Sequence, residues 1–370
     1  MIKSLKKGVA VLLAFAMAAS TAACSTDKSW AMKNDSFTAP IGVYIYNLYA
    51  AYQGADSMKT DPTKPVLDQK IENKSADAYM KDKALTYTKM LFVLNDKMKE
   101  LNLTLTPEET KAIGSATDAQ WEQASTTLEK YGISKESFNL AYADFYTKYQ
   151  KIFTGLYGKG GKKEVPESEL KSYFEKNYTD FTFIAKSLYN TKSDGSVAAF
   201  TDKEKAAVKA QFDAYAADVA SKKKTMKQIA DEYKTASKQT TEQLQNVTEN
   251  LNTSTGYPAE LKKLLDSMKP GEVKSAEISG AHLVVMKNDI SAKTKDELGA
   301  ESSRNNLLAE MKAEEFSKDM EKAAQSYSNI TLNQKALDSY SPSMFVAAAS
   351  SAAAPAAPQA STPASTASGK

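Results

Sequence analysis

Apolar positions recur at helical spacing almost from the start of the chain. Ile41, Ile45, Leu48 and Tyr52 lie four, three and four residues apart, so they share one helix face, and Pro40 suits the first turn. A polar, Pro-punctuated stretch over 54–70 reads as a loop. Tyr87, Leu91, Leu94, Met98 and Leu101 then repeat the pattern as a second apolar stripe. Thr106-Pro107-Glu108-Glu109 is a helix start, with a Thr cap, Pro in the first turn and Glu three residues after the cap. Gly132 breaks the chain, and Ser134 caps a helix carrying Phe138, Tyr142, Phe145, Tyr149 and Ile152. Gly158 to Lys163 reads as a flexible joint, and a short helix begins at Val165 and ends near Tyr178.

At Phe181 the pattern changes. Residues 181–191 are rich in aromatic and β-favouring side chains and read as a strand before the turn-like Ser193-Asp194-Gly195. Thr201 and Glu204 form a capping box for a helix with Val208, Phe212, Tyr215 and Val219 on one face, and 226–233 is a shorter helix. Residues 234–256 are polar and poorly patterned. Pro258 to Met268 is helical, Pro270-Gly271 turns, and two short strands follow over 273–278 and 281–286. Leu298 to Tyr327 reads as one long helix, with Leu307, Leu308, Met311, Phe316 and Met320 on its apolar face.

The two ends differ from the rest. Lys3, Lys6 and Lys7 followed by the apolar run 9–19 make a signal peptide over 1–23, too short in its apolar part for a permanent span. Thr21-Ala22-Ala23-Cys24 resembles the bacterial lipobox, so Cys24 is the expected lipidation site and 24–33 a tether; plain cleavage leaving a free thiol is the other reading. From 341 the chain is expected to be a disordered tail, Ala/Ser/Pro-rich from 347, where it lacks the apolar side chains that would offset its ordering entropy.

Composition narrows the chemistry. Cys24 is the single cysteine, which excludes an internal disulfide and cysteine-based metal sites. His282 is the single histidine, so no His–His pair exists for zinc or a proton relay. The 48 basic residues exceed the 45 acidic ones only by the three lysines of the leader. A near-neutral mature chain, with Arg304 as its sole arginine, offers no basic stripe for nucleic acid. No cofactor and no metal are expected.

Several stretches together resemble the PrsA and SurA group of extracytoplasmic foldases. Met32 to Phe37 is similar to that family's opening "V-N-G-x-x-I". The Leu101 to Pro107 segment resembles "L-G-L-x-V-x-D-E-E", Tyr131 to Phe138 resembles "x-G-x-T-x-E-E-F", and Val165 to Tyr178 resembles "V-T-D-E-E-L-K-x-Y-Y-E-x-N". Further on, Leu264 to Val273 and Gly280 to Met286 resemble two motifs of parvulin, the family's prolyl isomerase module, "A-x-F-x-L-K-x-G-E-V-S" and "G-Y-H-I-I-K-V". The likeness spans roughly residues 30–330.

The resemblance implies an α+β, mostly helical fold. A helical chaperone domain over 34–176 would be completed by a returning helix over 293–330, with a small parvulin-like α/β domain inserted at 178–290. It also implies catalytic histidines on neighbouring strands, of which His282 is retained and the first is replaced by Ser187. Tyr257, Leu261, Leu265 and Met268 would line the proline pocket, with Tyr257 standing where Met is usual and Leu261 where Phe is usual. The family's glycine-rich "G-G-D-L-G" has no counterpart in 239–252. The bland reading of these residues is a buried imidazole satisfied by a hydroxyl, and plain core. The expectation is therefore a membrane-anchored chaperone outside the cytoplasm, whose partners are unfolded or partly folded exported proteins and whose isomerase activity is weak or absent. The aromatic side chains of 44–52 and 142–149, with Met90, Met98, Met311 and Met320, would supply its adaptable surface. An active parvulin-type isomerase and a surface adhesin or wall-interaction lipoprotein on the same scaffold remain the alternatives.

Overall fold

The computed structural model of the chain describes residues 29–191 and 195–348. The expected leader, Cys24, the expected tether up to 28 and the residues from 349 lie outside these residues. Among the described residues no helix is long and apolar enough to cross a membrane. They form two compact units, the first from 29–149 with 320–348 and the second from 150–319.

The first unit opens on β1 (Trp30–Lys33) and β2 (Thr38–Pro40). The turn between them is set by Asn34, whose Oδ1 accepts from the amides of Ser36 and Phe37 at 3.0 and 2.9 Å. The expected tether therefore ends before residue 30: Ala31 and Met32 are fully buried, and their apolar side chains hold this stretch in a sheet. Helix α1 (Ile41–Ser57) buries Ile41, Ile45, Leu48 and Tyr52 as their spacing requires, and runs on into the expected loop as far as Ser57. A small hairpin, β3 (Lys70–Ile71) and β4 (Lys74–Ser75), turns through Glu72 and Asn73 at positive φ. Helix α2 (Ala76–Glu100) buries Leu91, Leu94 and Met98 but leaves Tyr87 exposed. Helix α3 (Pro107–Lys130) starts on the expected capping box, with Thr106 Oγ1 accepting from Glu109 N and Glu109 Oε2 accepting from Thr106 N. Helix α4 (Lys135–Asn139) is capped by Ser134. The helix does not continue regularly: a π-helical turn over Leu140–Asp144 separates it from α5 (Phe145–Tyr157).

The second unit is organised by one sheet. After α6 (Glu167–Asn177) comes β5 (Thr179–Ser187), then a hairpin of β6 (Tyr189–Thr191) and β7 (Val197–Ala199). Helices α7 (Asp202–Ala220) and α8 (Met226–Ala236) follow, then β8 (Gln245–Glu249), α9 (Ala259–Asp266), β9 (Val273–Ile278) and β10 (Ala281–Lys287). The strands are antiparallel in the order β8-β5-β10-β9. The period-two alternation divides the side chains into two cores. Ile184 and Val284 face α7 and α8, against Phe212, Tyr215, Ile229 and Tyr233. Phe181, Leu283 and Val285 face the other way, against Leu261, Leu265 and Met268. The β9–β10 turn needs its glycine: Ser279 and Gly280 both have positive φ, and a Cβ on Gly280 would lie 2.4 Å from the Tyr189 ring. The long helix expected over 298–327 is α11 (Glu301–Gln325), and a separate helix, α10 (Ser291–Gly299), precedes it across the extended Ala300.

The last residues complete the first unit. Strand β11 (Thr331–Leu332) pairs with β1, setting Leu332 opposite Met32, so one three-stranded sheet, β11-β1-β2, holds both ends of the described chain. Asn333 donates to the carbonyls of Ala31 from its amide and Trp30 from its side chain, both at 2.9 Å, and caps α12 (Gln334–Leu337). Before it, Tyr327 donates to Asp96 at 2.6 Å and Lys83 pairs with Glu321 at 2.7 Å. Where the disordered tail is expected from 341, Pro342–Ala348 forms a 3-10 helix whose Phe345 is buried among tyrosines.

Candidate functional site

The two stretches that the parvulin resemblance pairs are neighbours in the sheet: β5 and β10 run antiparallel over seven residue pairs, from Ala281↔Ser187 to Lys287↔Phe181. The register sets Lys186, not Ser187, opposite His282. In a strand, one residue of offset sends a side chain to the other face. Ser187 is exposed and closes a local turn, its Oγ accepting from the Tyr189 amide at 3.2 Å. Ser187 is therefore not the hydroxyl that meets His282.

His282 is instead met from β9 and α7. It is 3% exposed, with Nε2 2.9 Å from Ser275 Oγ and its ring edge-on to Phe212 at 5.7 Å. Lys209 first, and Ser275 after it, hold the Asp213 carboxyl below the ordinary value. A hydroxyl both donates and accepts, so the Ser275 contact satisfies Nε2 in either tautomer of the neutral ring. Burial pushes the His282 imidazole below its ordinary value, opposed by Asp213 and Glu277 and helped by Lys209. With one histidine in the chain, one imidazole resonance reports it. We expect that resonance to titrate below pH 6.5 in proton NMR; a midpoint at or above 6.5 would contradict the described burial.

Tyr257, Leu261, Leu265 and Met268 gather as the resemblance implies, but on the other side of the sheet. Leu261, Leu265 and Met268 are buried, and Tyr257 lies edge-on to Phe181 at 5.6 Å. The structure thus brings these four together and separates them from His282 by the sheet. Among the described residues, His282 is buried, bonded to Ser275 of β9 and packed edge-on against Phe212 of α7. Phe212 stands in the α7 stripe read from sequence, whereas Asp213 and Ser275 carry no local signal that would single them out. Among the described residues no cluster of His, Cys, Asp or Glu suits a metal ion.

A different surface stands on the first unit. Most of the α1 tyrosines belong to the core: Tyr44 and Tyr52 are buried, and Tyr46 packs edge-on to Phe138. Met90, Met98 and Met320 are buried as well, so they are not the deformable surface expected of them. Besides Val346, the exposed large apolar side chains described in this unit are Met58, Tyr87 and Tyr146, each 44–45% exposed. They continue into a ridge. Tyr79 Oη donates to Met58 Sδ at 3.7 Å, the Lys83 ammonium stands 5.8 Å over the Tyr79 ring, Tyr87 and Phe145 are 6.5 Å apart, and Phe145 stacks on Tyr149 at 5.9 Å. Tyr79, Lys83 and Tyr87 share one face of α2 at four-residue spacing.

No family model and no curated protein matches the chain. Among solved structures it is similar to the foldase protein PrsA from Streptococcus pneumoniae, at 16% identity over 72% of this chain and 89% of that one, with a TM-score of 0.38. PrsA from Bacillus subtilis matches at 14% identity over 66% and 85%, with a TM-score of 0.27. A structure from Campylobacter jejuni, of a SurA-like chaperone, matches at 13% identity over 82% and 98%, with a TM-score of 0.26.

Proposed function

We propose that the chain is an extracytoplasmic chaperone, anchored to the outer face of the membrane by a lipid on Cys24, which holds unfolded or partly folded exported proteins and has little or no isomerase activity. The parvulin-like part, 178–290, would serve as a scaffold rather than a rotamase. The observation that carries this reading is the half-exposed ridge of Met58, Tyr79, Tyr87, Phe145 and Tyr146. Amphipathic rings and a thioether bind many apolar sequences without fixing one geometry, which is what an unfolded client demands. The polar side supports the same reading. Prolyl rotation has a barrier of about 20 kcal/mol, and lowering it needs groups that favour the twisted amide. Here the imidazole is single, buried and engaged by Ser275.

The test is light scattering from a chemically unfolded client diluted into buffer with the soluble chain starting at Ser25. The chain should suppress the signal, and Tyr87→Ser with Tyr146→Ser should lose most of that protection while melting unchanged. Equal protection by the double variant would sink the ridge as the holding surface.

A further inference from the structure

We propose that Tyr49, Tyr52 and Tyr131 form a receiving cage for one aromatic side chain of an extended polypeptide, which Phe345 of the chain's own C-terminal strap fills in this structure. The inference rests on the chaperone reading for the occupant's chemistry and concerns a surface separate from the ridge.

Three rings surround Phe345, which is 1% exposed. Its centroid is 4.8 Å from Tyr131 at 90°, 5.2 Å from Tyr49 and 5.7 Å from Tyr52. Edge-to-face and tilted contacts at these distances favour an aromatic ring over an aliphatic chain of similar size. The cage is therefore selective for ring shape, and three tyrosines give it an amphipathic wall.

What holds the strap is side chain alone. Among the described residues the hydrogen bonds of 341–346 stay within that stretch, as in Met344 N to Ser341 O at 3.1 Å and the Ser341–Ser343 hydroxyl pair. Pro342 and Phe345 are buried and Met344 packs against the core, while Val346 beside them is 45% exposed. A segment seated by side chains, with no backbone bond to its seat, can leave without breaking a ladder.

The cage also contains a polar group that the strap does not satisfy. The Tyr131 hydroxyl is buried with no protein partner among the described residues. A buried donor of this kind gains from an acceptor. A polypeptide entering with its ring in the cage brings peptide carbonyls that could supply one. The occupant is thus an extended chain presenting Phe, Tyr or Trp.

The experiment is fluorescence anisotropy of a labelled, unstructured peptide with one central Phe, and of its Phe→Leu counterpart, titrated with the full chain. Vacating the cage removes the competing internal ligand, so Phe345→Ala should bind the Phe peptide about tenfold or more tighter than the parent, with no gain for the Leu peptide. Phe345→Tyr, which keeps the cage full, should bind as the parent does. Equal affinity of parent and Phe345→Ala would overturn the proposal. So would loss of cooperative melting in Phe345→Ala, because a removable occupant cannot also be the keystone of the unit. Failure of the light-scattering test with the affinity gain intact would remove the chaperone reading and leave the cage.

Discussion

Phe212→Ala should lower the stability of the second unit by about 3–5 kcal/mol, among the largest single effects expected in the chain. Phe212 is fully buried on α7, and its ring meets Tyr215, Tyr233 at 5.3 Å and the His282 imidazole at 5.7 Å. Truncation removes the contacts that fasten α7 and α8 to Ile184 and Val284, and leaves a cavity lined by groups already locked in place by the sheet. In thermal denaturation this should appear as a fall of the second unit's midpoint by about 10 °C. Phe212→Leu should recover most of it. A loss of under about 1 kcal/mol on Phe212→Ala would mean that this face of the sheet is not packed as described.

Glu310→Ala should cost about 2–4 kcal/mol, a second large effect at a residue that looks like an ordinary helix-surface acid. Its carboxylate accepts from Tyr178 at 2.5 Å, Tyr173 at 3.1 Å and Asn250 at 3.2 Å, so one side chain on α11 gathers α6, the start of β5 and the segment after β8. Removing it leaves three donors without their acceptor, which is why the cost exceeds that of one surface contact. Glu310→Gln should fall between, since its amide oxygen still accepts while its NH2 faces hydroxyl donors.

The same hub makes a pH prediction. Burial first, and Glu310 second, push Tyr173 up to about 12, and Tyr178 is raised by the same causes. A group whose folded value lies above its unfolded one adds stability that is complete below the unfolded value. The unfolded tyrosine titrates near 10.0, so this contribution should be lost as pH rises from 10 through about 12. Thermal midpoints measured across that range should fall less steeply in Tyr173→Phe and Tyr178→Phe than in the parent.

Much of the fold was legible where the cause is local. The capping boxes at Thr106 and Thr201 and the Ser134 cap appear where their sequences place them, because each is closed by residues three apart. Strands β9 and β10 were equally clear, since the Ser279-Gly280 turn stands between an alternating stretch and an apolar run. Long-range pairing was not legible. Strand β8 has one apolar residue, Val247, and exists because β5 offers it an unpaired edge. Strand β11 has two residues and is defined by β1, some 300 positions earlier. The Glu310 donors likewise lie 60 to 137 residues away, at separations no spacing rule reaches.

The candidate site shows the same division. His282 and the strand carrying it could be placed from a local motif, and so could the apolar group around Leu261 and Leu265. Their relation to each other could not, because an offset of one residue at Ser187 exchanges the faces of a strand. Ser275 and Phe212, which meet the imidazole, come from β9 and α7 and share no motif with it. The aromatic ridge was misassigned in part for a related reason. A tyrosine on α1 and a tyrosine on α2 look alike in sequence, and only the neighbouring helices decide which one is covered.

The most direct measurement of the central claim follows proline cis–trans exchange in a protease-coupled peptide assay, using the same preparation that is tested for suppressing client aggregation. The account predicts protection of the client with no acceleration of the exchange above the uncatalysed rate. Strong acceleration, abolished by His282→Ala in a chain that still folds, would contradict it.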